Sequence, residues 1–124
     1  MRFGYCAHMK DADTVARAGF DYIECPAAVL FEMNEDEFTA GVRTICDAGI
    51  TCETANLFLA GNIKVYETVR PTMEEYYKQV FDRLGRLGVK VIVFGSGNAR
   101  RVPKTMTMAE AEDRFVEFTR FAAE

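Results

Sequence analysis

Residues Val89 to Pro103 read VKVIVFGSGNARRVP, and this stretch decides the fold class. It begins with a short β-branched and aromatic run, Val89–Phe94, in which only Lys90 is polar. A run of this length between two glycines predicts a strand that is buried on both faces. Small residues that expose backbone N–H groups follow, then two arginines and a helix. This order is typical of an α/β ligand site at the carboxyl end of a strand.

The strand of this stretch follows a helix end and a glycine, and that order occurs twice more, earlier in the chain. ARAGFDYIE at 16–24, CDAGITCET at 46–54 and RLGRLGVKVIVF at 83–94 each place a helix end, a glycine and an apolar strand in succession. A period of about 30–40 residues indicates a repeated supersecondary unit, here a βα unit. Strands that alternate with helices predict right-handed crossovers and a parallel sheet. We therefore predict four βα units in one domain, residues 1–124.

Capping residues predict where the helices begin and end. Asp11 or Asp13 fits the start of the first helix, and glycines at 19, 49 and 88 fit helix ends. Three pairs have the spacing of a capping box: Asn34 with Glu37, Thr72 with Glu75, and Thr107 with Glu110. Residues 27–31 fit either a loop or one helical turn, and residues 63–70 are ambiguous.

Composition and charge exclude several classes of protein. The net charge of −4 and the isoelectric point near 5.1 disfavour non-specific nucleic-acid binding. The sequence contains no run of about 18 apolar residues and so predicts no membrane span. The apolar run at the amino terminus is too short for a signal peptide. The four cysteines lack CxxC spacing, which favours reduced, buried thiols over disulfides or a zinc site. We expect a cytoplasmic protein.

Four βα units are half of a (β/α)₈ barrel, which takes about 250 residues. In barrel order, four parallel strands would expose two unpaired edges and an apolar inner face. We therefore expect a homodimer or another association through the sheet edges. The terminal residues 121–124, FAAE, lack a glycine, proline or basic last turn, so we expect the chain to stop within the helix of its fourth unit. The alternative is a complete doubly wound sheet of four strands.

Three motifs resemble the xylose-isomerase-like barrels, the family of sugar phosphate isomerases and epimerases. They are FGSGNARRVP at 94–103, GFDYIE at 19–24 and CETANLF at 52–58. The resemblance covers essentially the whole chain and implies the first half of a (β/α)₈ barrel, a parallel (βα)₄ half of a TIM barrel. It also implies a divalent metal (Mn, Mg, Co or Zn), held by Glu, Asp, His and Glu of the fifth to eighth strands. Those strands have no counterpart here, so we expect this chain alone to hold no metal and to be inactive or nearly so.

Proton transfer between adjacent sugar carbons needs stabilisation of an enediolate, and barrels place such chemistry at the carboxyl ends of their strands. Catalytic residues cannot be assigned within these strands, but seven residues are candidates for binding a sugar or sugar phosphate. They are His8 after the first strand, Glu24 at the end of the second, Glu53 and Asn56 in the third, and Ser96, Asn98 and Arg100 after the fourth. We expect them to converge at one end of the sheet.

Each candidate also has an ordinary structural interpretation. His8 is consistent with a surface histidine, and Glu24 with a salt bridge to an arginine such as Arg100. Glu53 alternates with its neighbours in a way that allows it to point outward against a helix, and Asn56 is consistent with a turn residue. The phenylalanines at 115, 118 and 121 and the two tyrosines at 76 and 77 are predicted to pack in the core.

Three classes of function remain open at this point. The first is a metal-assisted sugar isomerase or epimerase. This chain is then either the front half of a longer protein, or two copies of it pair to complete the barrel. The second is a non-catalytic module that binds a small anion or a sugar at the loop 95–101. The third is an abasic-site endonuclease of the related repair branch, which the net charge and the lack of histidines at the ends of the second and third strands disfavour. DNA binding that weakens with salt would support the third.

Overall fold

A computed structural model describes all residues of the chain, Met1–Glu124, and contains four strands and five helices. The strands are β1 (Gly4–Cys6), β2 (Tyr22–Pro26), β3 (Thr51–Asn56) and β4 (Val91–Ile92). The helices are α1 (Ala12–Arg17), α2 (Ala27–Glu32), α3 (Glu35–Asp47), α4 (Arg70–Leu87) and α5 (Met108–Ala123). Two single 3₁₀ turns, Met9–Asp11 and Asn98–Arg100, follow β1 and β4.

The four strands form one parallel sheet in the order β1-β2-β3-β4. Each strand lies beside the strand that follows it in sequence, so the chain always advances in one direction around the sheet. A doubly wound sheet would reverse its strand order midway, and that alternative is therefore wrong. Sequential parallel strands with helices between them form one side of a (β/α)₈ barrel, as the repeat predicts.

The two faces of this sheet have different environments. The centre of the outer face consists of Ile23, Cys25, Cys52 and Ala55, each at most 2% exposed, and these side chains join the core formed with the helices. Partner residues in neighbouring parallel strands share a face, and side chains alternate along each strand. The inner face accordingly comprises the side chains between them, which no helix covers: Cys6, Glu24, Thr54, Asn56 and Val91.

The last strand differs from the prediction in length and in burial. Only Val91 and Ile92 pair as β4, and Val91 and Val93 are 56% and 48% exposed. The prediction of a strand buried on both faces is wrong because helices cover only the outer face and β4 pairs only with β3. The inner face is also less apolar than expected, since its centre carries Glu24 and its neighbours.

Most predicted helix ends are found. Gly19, Gly49 and Gly88 follow helices with φ of 85°, 65° and 79°, a conformation that favours glycine. Both capping boxes at Asn34 and Thr107 form. The predicted box at Thr72 is wrong, because α4 already begins at Arg70 after Val69. Asp11 precedes α1 without capping it through its side chain, and residues 27–32 form the complete helix α2.

The four cysteines are all free. Cys25 and Cys52 are buried as expected, whereas Cys6 and Cys46 are exposed, so the prediction of buried thiols is wrong for those two. None of the five helices combines the length and the apolar character that a membrane crossing needs.

Candidate functional site

A carboxylate with three side-chain donors lies at the centre of the inner face. Glu24 at β2 accepts hydrogen bonds from Thr54 Oγ1 at 2.8 Å, from Asn56 Nδ2 at 2.8 Å and from Cys6 Sγ at 3.1 Å. Asn56 Nδ2 also contacts Cys6 Sγ at 3.4 Å. We call these four residues the Glu24 network. It brings together side chains from three strands, and it includes two of the predicted site residues, Glu24 and Asn56.

The register of the sheet explains why these side chains meet. Cys6 pairs with Glu24 across β1 and β2, so the two side chains lie on the same face. Between Ile23 and Glu24 the register with β3 shifts by one residue, which aligns Glu24 with Thr54. Such a bulge changes which side chain faces a given partner. Glu53 is the extra residue, and it is therefore displaced from the network.

The network keeps Glu24 ionised. Partial burial by itself raises the pKa of this carboxyl, but the hydrogen bonds from Thr54, Cys6 and Asn56 outweigh it, and the pKa lies below its usual range. The same contact with Glu24, together with burial, raises the pKa of the Cys6 thiol. The pair therefore consists of a carboxylate acceptor and a protonated thiol donor.

One polar atom of the network has no partner. Asn56 Oδ1 is buried from solvent, and no donor lies within hydrogen-bonding distance of it. A buried acceptor without a hydrogen bond is costly, so such an atom is suited to a donor that arrives with a ligand. The inner face thus offers an ionised carboxylate and an unpaired amide oxygen on neighbouring strands.

The loop after β3 is held in place from two sides. Ser96, which is buried, accepts a hydrogen bond at Oγ from the backbone N–H of Leu59 at 2.9 Å. Tyr76 of α4 accepts one from the N–H of Ala60 at 3.1 Å and donates one to the carbonyl of Phe58. Ser96, a predicted site residue, thus joins the two loops, because its side chain in the loop after β4 binds the backbone of the loop after β3.

Leu57 directly follows Asn56 and has a φ of 47°. It is the only residue other than glycine with a positive φ, and its side chain is 48% exposed. Leucine pays a steric cost in this conformation, and such strain concentrates at functional sites. Its carbonyl accepts a hydrogen bond from the N–H of Ala28 at 3.1 Å, which links the end of β3 to the start of α2.

Two adjoining cavities lie at the carboxyl ends of β3 and β4. The first, of about 200 Å³, is lined mainly by small and apolar residues, among them Leu57, Gly61, Ser96 and Gly97. The second, of about 500 Å³, is lined by Lys64, Glu67, Asn98, Arg101, Pro103 and Lys104. We call them the neutral cavity and the basic cavity. Lys64 and Asn98 line both, so the two cavities lie side by side.

Three predicted site residues lie away from these features. His8 is exposed before the 3₁₀ turn after β1 and does not cap it through its side chain. Glu53 forms an ion pair with Arg2, at 2.6 Å and 2.7 Å, which lowers its pKa. Arg100 lies over the ring of Phe94, 5.6 Å from its centroid, so the suggested salt bridge to Glu24 is not formed.

Sequence reasoning missed several residues that the structure brings together. Thr54 was not a candidate because its alignment with Glu24 depends on a bulge that no local pattern indicates. Cys6 could have been found, because it ends the first strand in the same way that Glu24 ends the second. Lys64 and Lys104 lie in irregular segments, where no periodicity indicates that they share one cavity.

The residues of this chain do not fit a divalent metal. No group of three or more His, Cys, Asp or Glu side chains lies close enough together to hold an ion. The two glutamates of β2 and β3 have separate partners, Glu24 within its network and Glu53 with Arg2. Divalent ions need several oxygen or nitrogen ligands around one point.

Solved structures with the same fold were found for nearly the whole chain. D-psicose 3-epimerase from Clostridium cellulolyticum H10, determined with D-tagatose, aligns with a TM-score of 0.72 at 21% identity, over 99% of this chain and 47% of that one. The chain has the fold of half a (β/α)₈ barrel of the kind found in these structures. The resemblance drawn from the three sequence motifs is confirmed at the level of the fold.

Two further structures agree with this assignment. A D-psicose 3-epimerase determined in the presence of D-fructose gives a TM-score of 0.65 at 18% identity, over 99% of this chain and 49% of that one. The 3-keto-D-glucoside 4-epimerase from E. coli, in its apo form, gives 0.69 at 16% identity, over 98% of this chain and 50% of that one. The chain thus spans about half the length of each solved structure. A scan of family models and a search of curated proteins found no significant match.

Proposed function

We propose that this chain forms the sugar-binding half of a sugar or sugar phosphate isomerase or epimerase, and that the metal ligands lie outside these 124 residues. The observation that carries the proposal is the Glu24 network, a polar cluster on the open side of an arc of four parallel strands. In a closed barrel of this fold that side faces the interior. The fold similarity to three sugar epimerases supports the assignment to a carbohydrate substrate.

The chemistry of the network suits a polyhydroxylated ligand. A sugar hydroxyl both donates and accepts hydrogen bonds, so a binding surface for it needs acceptors beside donors. Glu24 supplies a charged acceptor, and Asn56 Oδ1 supplies a neutral acceptor that has no partner within the chain. Ligand hydroxyls bound to both would satisfy the buried amide oxygen and would be oriented by atoms from two strands. Metal-assisted proton transfer is not assigned to any residue of this chain.

Binding of free ketoses tests the proposal directly. Amide chemical shifts of the ¹⁵N-labelled chain would be followed during titration with D-fructose and D-tagatose. We expect shifts at Glu24, Thr54 and Asn56, and an affinity at least about tenfold lower for Glu24→Gln, because hydrogen bonds to a charged acceptor are the stronger ones. Glu53→Gln is the matched control, since Glu53 is held by Arg2 away from the network. Equal effects of the two substitutions, or no shifts with either sugar, would overturn the proposal.

Activity measurements test the second part of the proposal. We expect no measurable epimerisation when the 124-residue chain is incubated with a ketose and Mn²⁺, because its own side chains assemble no metal site. The assay would follow the appearance of the C3 epimer by chromatography. Metal-dependent turnover by this chain alone would contradict the assignment of the metal ligands to another part of the protein.

The exposed sheet edges are part of the same proposal. Phe3 and Tyr5 at β1 are 59% and 52% exposed, and Val91 at β4 is 56% exposed. Unpaired edges with apolar side chains favour pairing with another chain. Two copies of this chain would bury these edges against each other, and sedimentation velocity should then show a dimer. A stable monomer at high micromolar concentration would argue against this association.

A further inference from the structure

The basic cavity carries more positive charge than its surroundings neutralise. Lys64, Arg101 and Lys104 line it together with one carboxylate, Glu67. None of the five ion pairs in the structure includes any of these three cations. The chain as a whole is acidic, with a net charge of −4, so a local excess of unpaired cations is not a consequence of composition.

The loops that carry these cations are fixed relative to each other. The N–H of Val65 donates to the carbonyl of Ala99 at 3.0 Å, which joins the loop after β3 to the 3₁₀ turn after β4. Val65 and Ala99 are both buried. The N–H of Lys64 also donates to Thr68 Oγ1 at 2.8 Å. The backbones that carry Lys64 and Arg101 are therefore positioned before any ligand arrives, which reduces the entropic cost of binding.

The shape of the site indicates the size of its ligand. The basic cavity, about 500 Å³, has room for a small anion, and the neutral cavity of about 200 Å³ lies beside it, with Lys64 and Asn98 lining both. The neutral cavity is lined mainly by small and apolar residues such as Gly61 and Gly97. A ligand that fills both has an anionic group at one end and a short, uncharged body at the other.

We propose that Lys64, Arg101 and Lys104 form a binding site for the phosphate group of a small phosphomonoester, whose uncharged part lies in the neutral cavity. Arginine and lysine donors around one point match the oxygens and the double negative charge of a phosphomonoester. The site shares no residue with the Glu24 network. It therefore stands whether or not the chain acts on sugars.

A small phosphomonoester fits the cavity better than a nucleic acid does. A polymer of phosphates is bound by a basic stripe across a surface, and the acidic chain offers one local cluster of three cations instead. Three cations and the carboxylate of Glu67 give this lining a net charge of +2, which matches one phosphomonoester dianion. Phosphomonoester binding should nevertheless weaken as salt is raised, because the cavity is open to solvent.

Titrations of the chain with glycerol 3-phosphate, inorganic phosphate and glycerol test the site. Amide chemical shifts at low ionic strength would report the position of binding, and calorimetry its affinity. We expect shifts at residues 61–65 and 96–104 with both phosphates, tighter binding of glycerol 3-phosphate, and no shifts with glycerol. The double substitution Arg101→Gln with Lys104→Gln should lower the affinity about tenfold or more.

Arg100→Gln provides the matched control, because Arg100 neighbours Arg101 but lies over Phe94 outside the cavity. An effect of Arg100→Gln within about twofold of the unmodified chain would support the site. Arg101→Gln alone removes the same charge as Arg100→Gln. If both single substitutions weaken phosphate binding equally, the site is overturned, because the phosphate is then attracted by the overall charge. Displacement of glycerol 3-phosphate by lower concentrations of a DNA duplex would overturn it too. If the unmodified chain binds ketoses but neither phosphate compound, the phosphate site is refuted and the proposed function is not.

Discussion

The two faces of the four-stranded sheet use the same strands for different purposes. On the outer face, Ile23, Cys25 and Ala55 are fully buried beneath the helices. On the inner face of the same strands, Glu24 and Asn56 are only partly buried and hydrogen-bond to each other. Side chains alternate along a strand, so adjacent residues of one strand serve the two faces in turn. Stability should therefore depend on one set of positions and ligand binding on the other.

The largest expected effect concerns the outer face. Ile23→Ala removes a side chain with no exposed surface from the centre of the core, and it should lower the free energy of unfolding by about 2–5 kcal/mol. Val91→Ala on the inner face is the control, and it should cost no more than about 0.5 kcal/mol, because Val91 is 56% exposed. Urea unfolding of both variants measures the difference. Equal losses would mean that something covers the inner face.

The next effect concerns the contact between the core and the loop after β3. Tyr76→Phe leaves the N–H of Ala60 and the carbonyl of Phe58 without their partner, and it should cost about 1–3 kcal/mol. Burial raises the pKa of Tyr76 to about 12, so its hydroxyl is protonated near neutral pH. Tyr77→Phe is the control, since the hydroxyl of Tyr77 is buried without a partner and its removal should not destabilise the chain.

A loss of stability with Tyr77→Phe equal to that with Tyr76→Phe would contradict this account. It would mean that the two hydroxyls are equivalent and that the loop is held by other contacts. The same pair of variants also tests the cavities, because the loop fixed by Tyr76 includes Gly61, which lines the neutral cavity. Only Tyr76→Phe should broaden the amide signals of residues 58–64.

The sequence was sufficient to predict the parallel (βα)₄ architecture and most of the helix ends. The helix-end glycines, such as Gly19 and Gly88, and the capping box at Asn34 act locally, so their effect can be inferred from a few neighbouring residues. Strand burial is not local. The run Val89–Phe94 is apolar enough for a strand with two covered faces, yet nothing within it indicates that helices cover only one of them.

The inner face was predictable only in part. Glu24 was a candidate because a carboxylate in an apolar strand is unusual, and Asn56 because it ends a strand. Their partner Thr54 depends on the register shift after Ile23, which arises from pairing between strands about 30 residues apart. Of two adjacent arginines, Arg100 was chosen as the site candidate. The fold of the loop instead places Arg100 over Phe94 and Arg101 in the basic cavity, which the sequence alone does not indicate.

A smaller effect is expected at the end of β3, where the two faces meet the loop. Leu57→Asn should stabilise the chain by about 1 kcal/mol, because asparagine tolerates the positive φ and Leu57 is half exposed. Leu57→Ala retains a β-carbon without a local polar group, and it should give no gain. Thermal unfolding of the two variants provides the comparison. A gain with alanine as large as with asparagine would show that the exposed side chain, rather than the backbone, carries the cost.

The smallest expected change in stability concerns the charge of Glu24, and it distinguishes the two faces by their response to pH. The folded chain lowers the pKa of Glu24, so this carboxylate contributes stability above its ordinary pKa and loses the contribution as the pH falls through the folded pKa. Glu24→Gln keeps an oxygen for Cys6 and Asn56, removes the charge, and replaces the oxygen that accepts from Thr54 by an amide nitrogen. The stability of the unmodified chain should therefore exceed that of Glu24→Gln at pH 7, and the difference should shrink towards pH 3.

The urea midpoints of the two proteins would be measured across this pH range. Other carboxylates with lowered pKa values, such as Glu35 and Glu110, are present in both proteins, so the difference between the midpoints reports the contribution of Glu24. A constant difference at every pH would mean that the charge contributes nothing to folding. Ile23→Ala should, in contrast, lower stability by a similar amount at every pH, because no proton is bound or released at that position. A pH-dependent difference at Glu24 with a pH-independent one at Ile23 would assign ionisation to the inner face and packing to the outer face of the same strand.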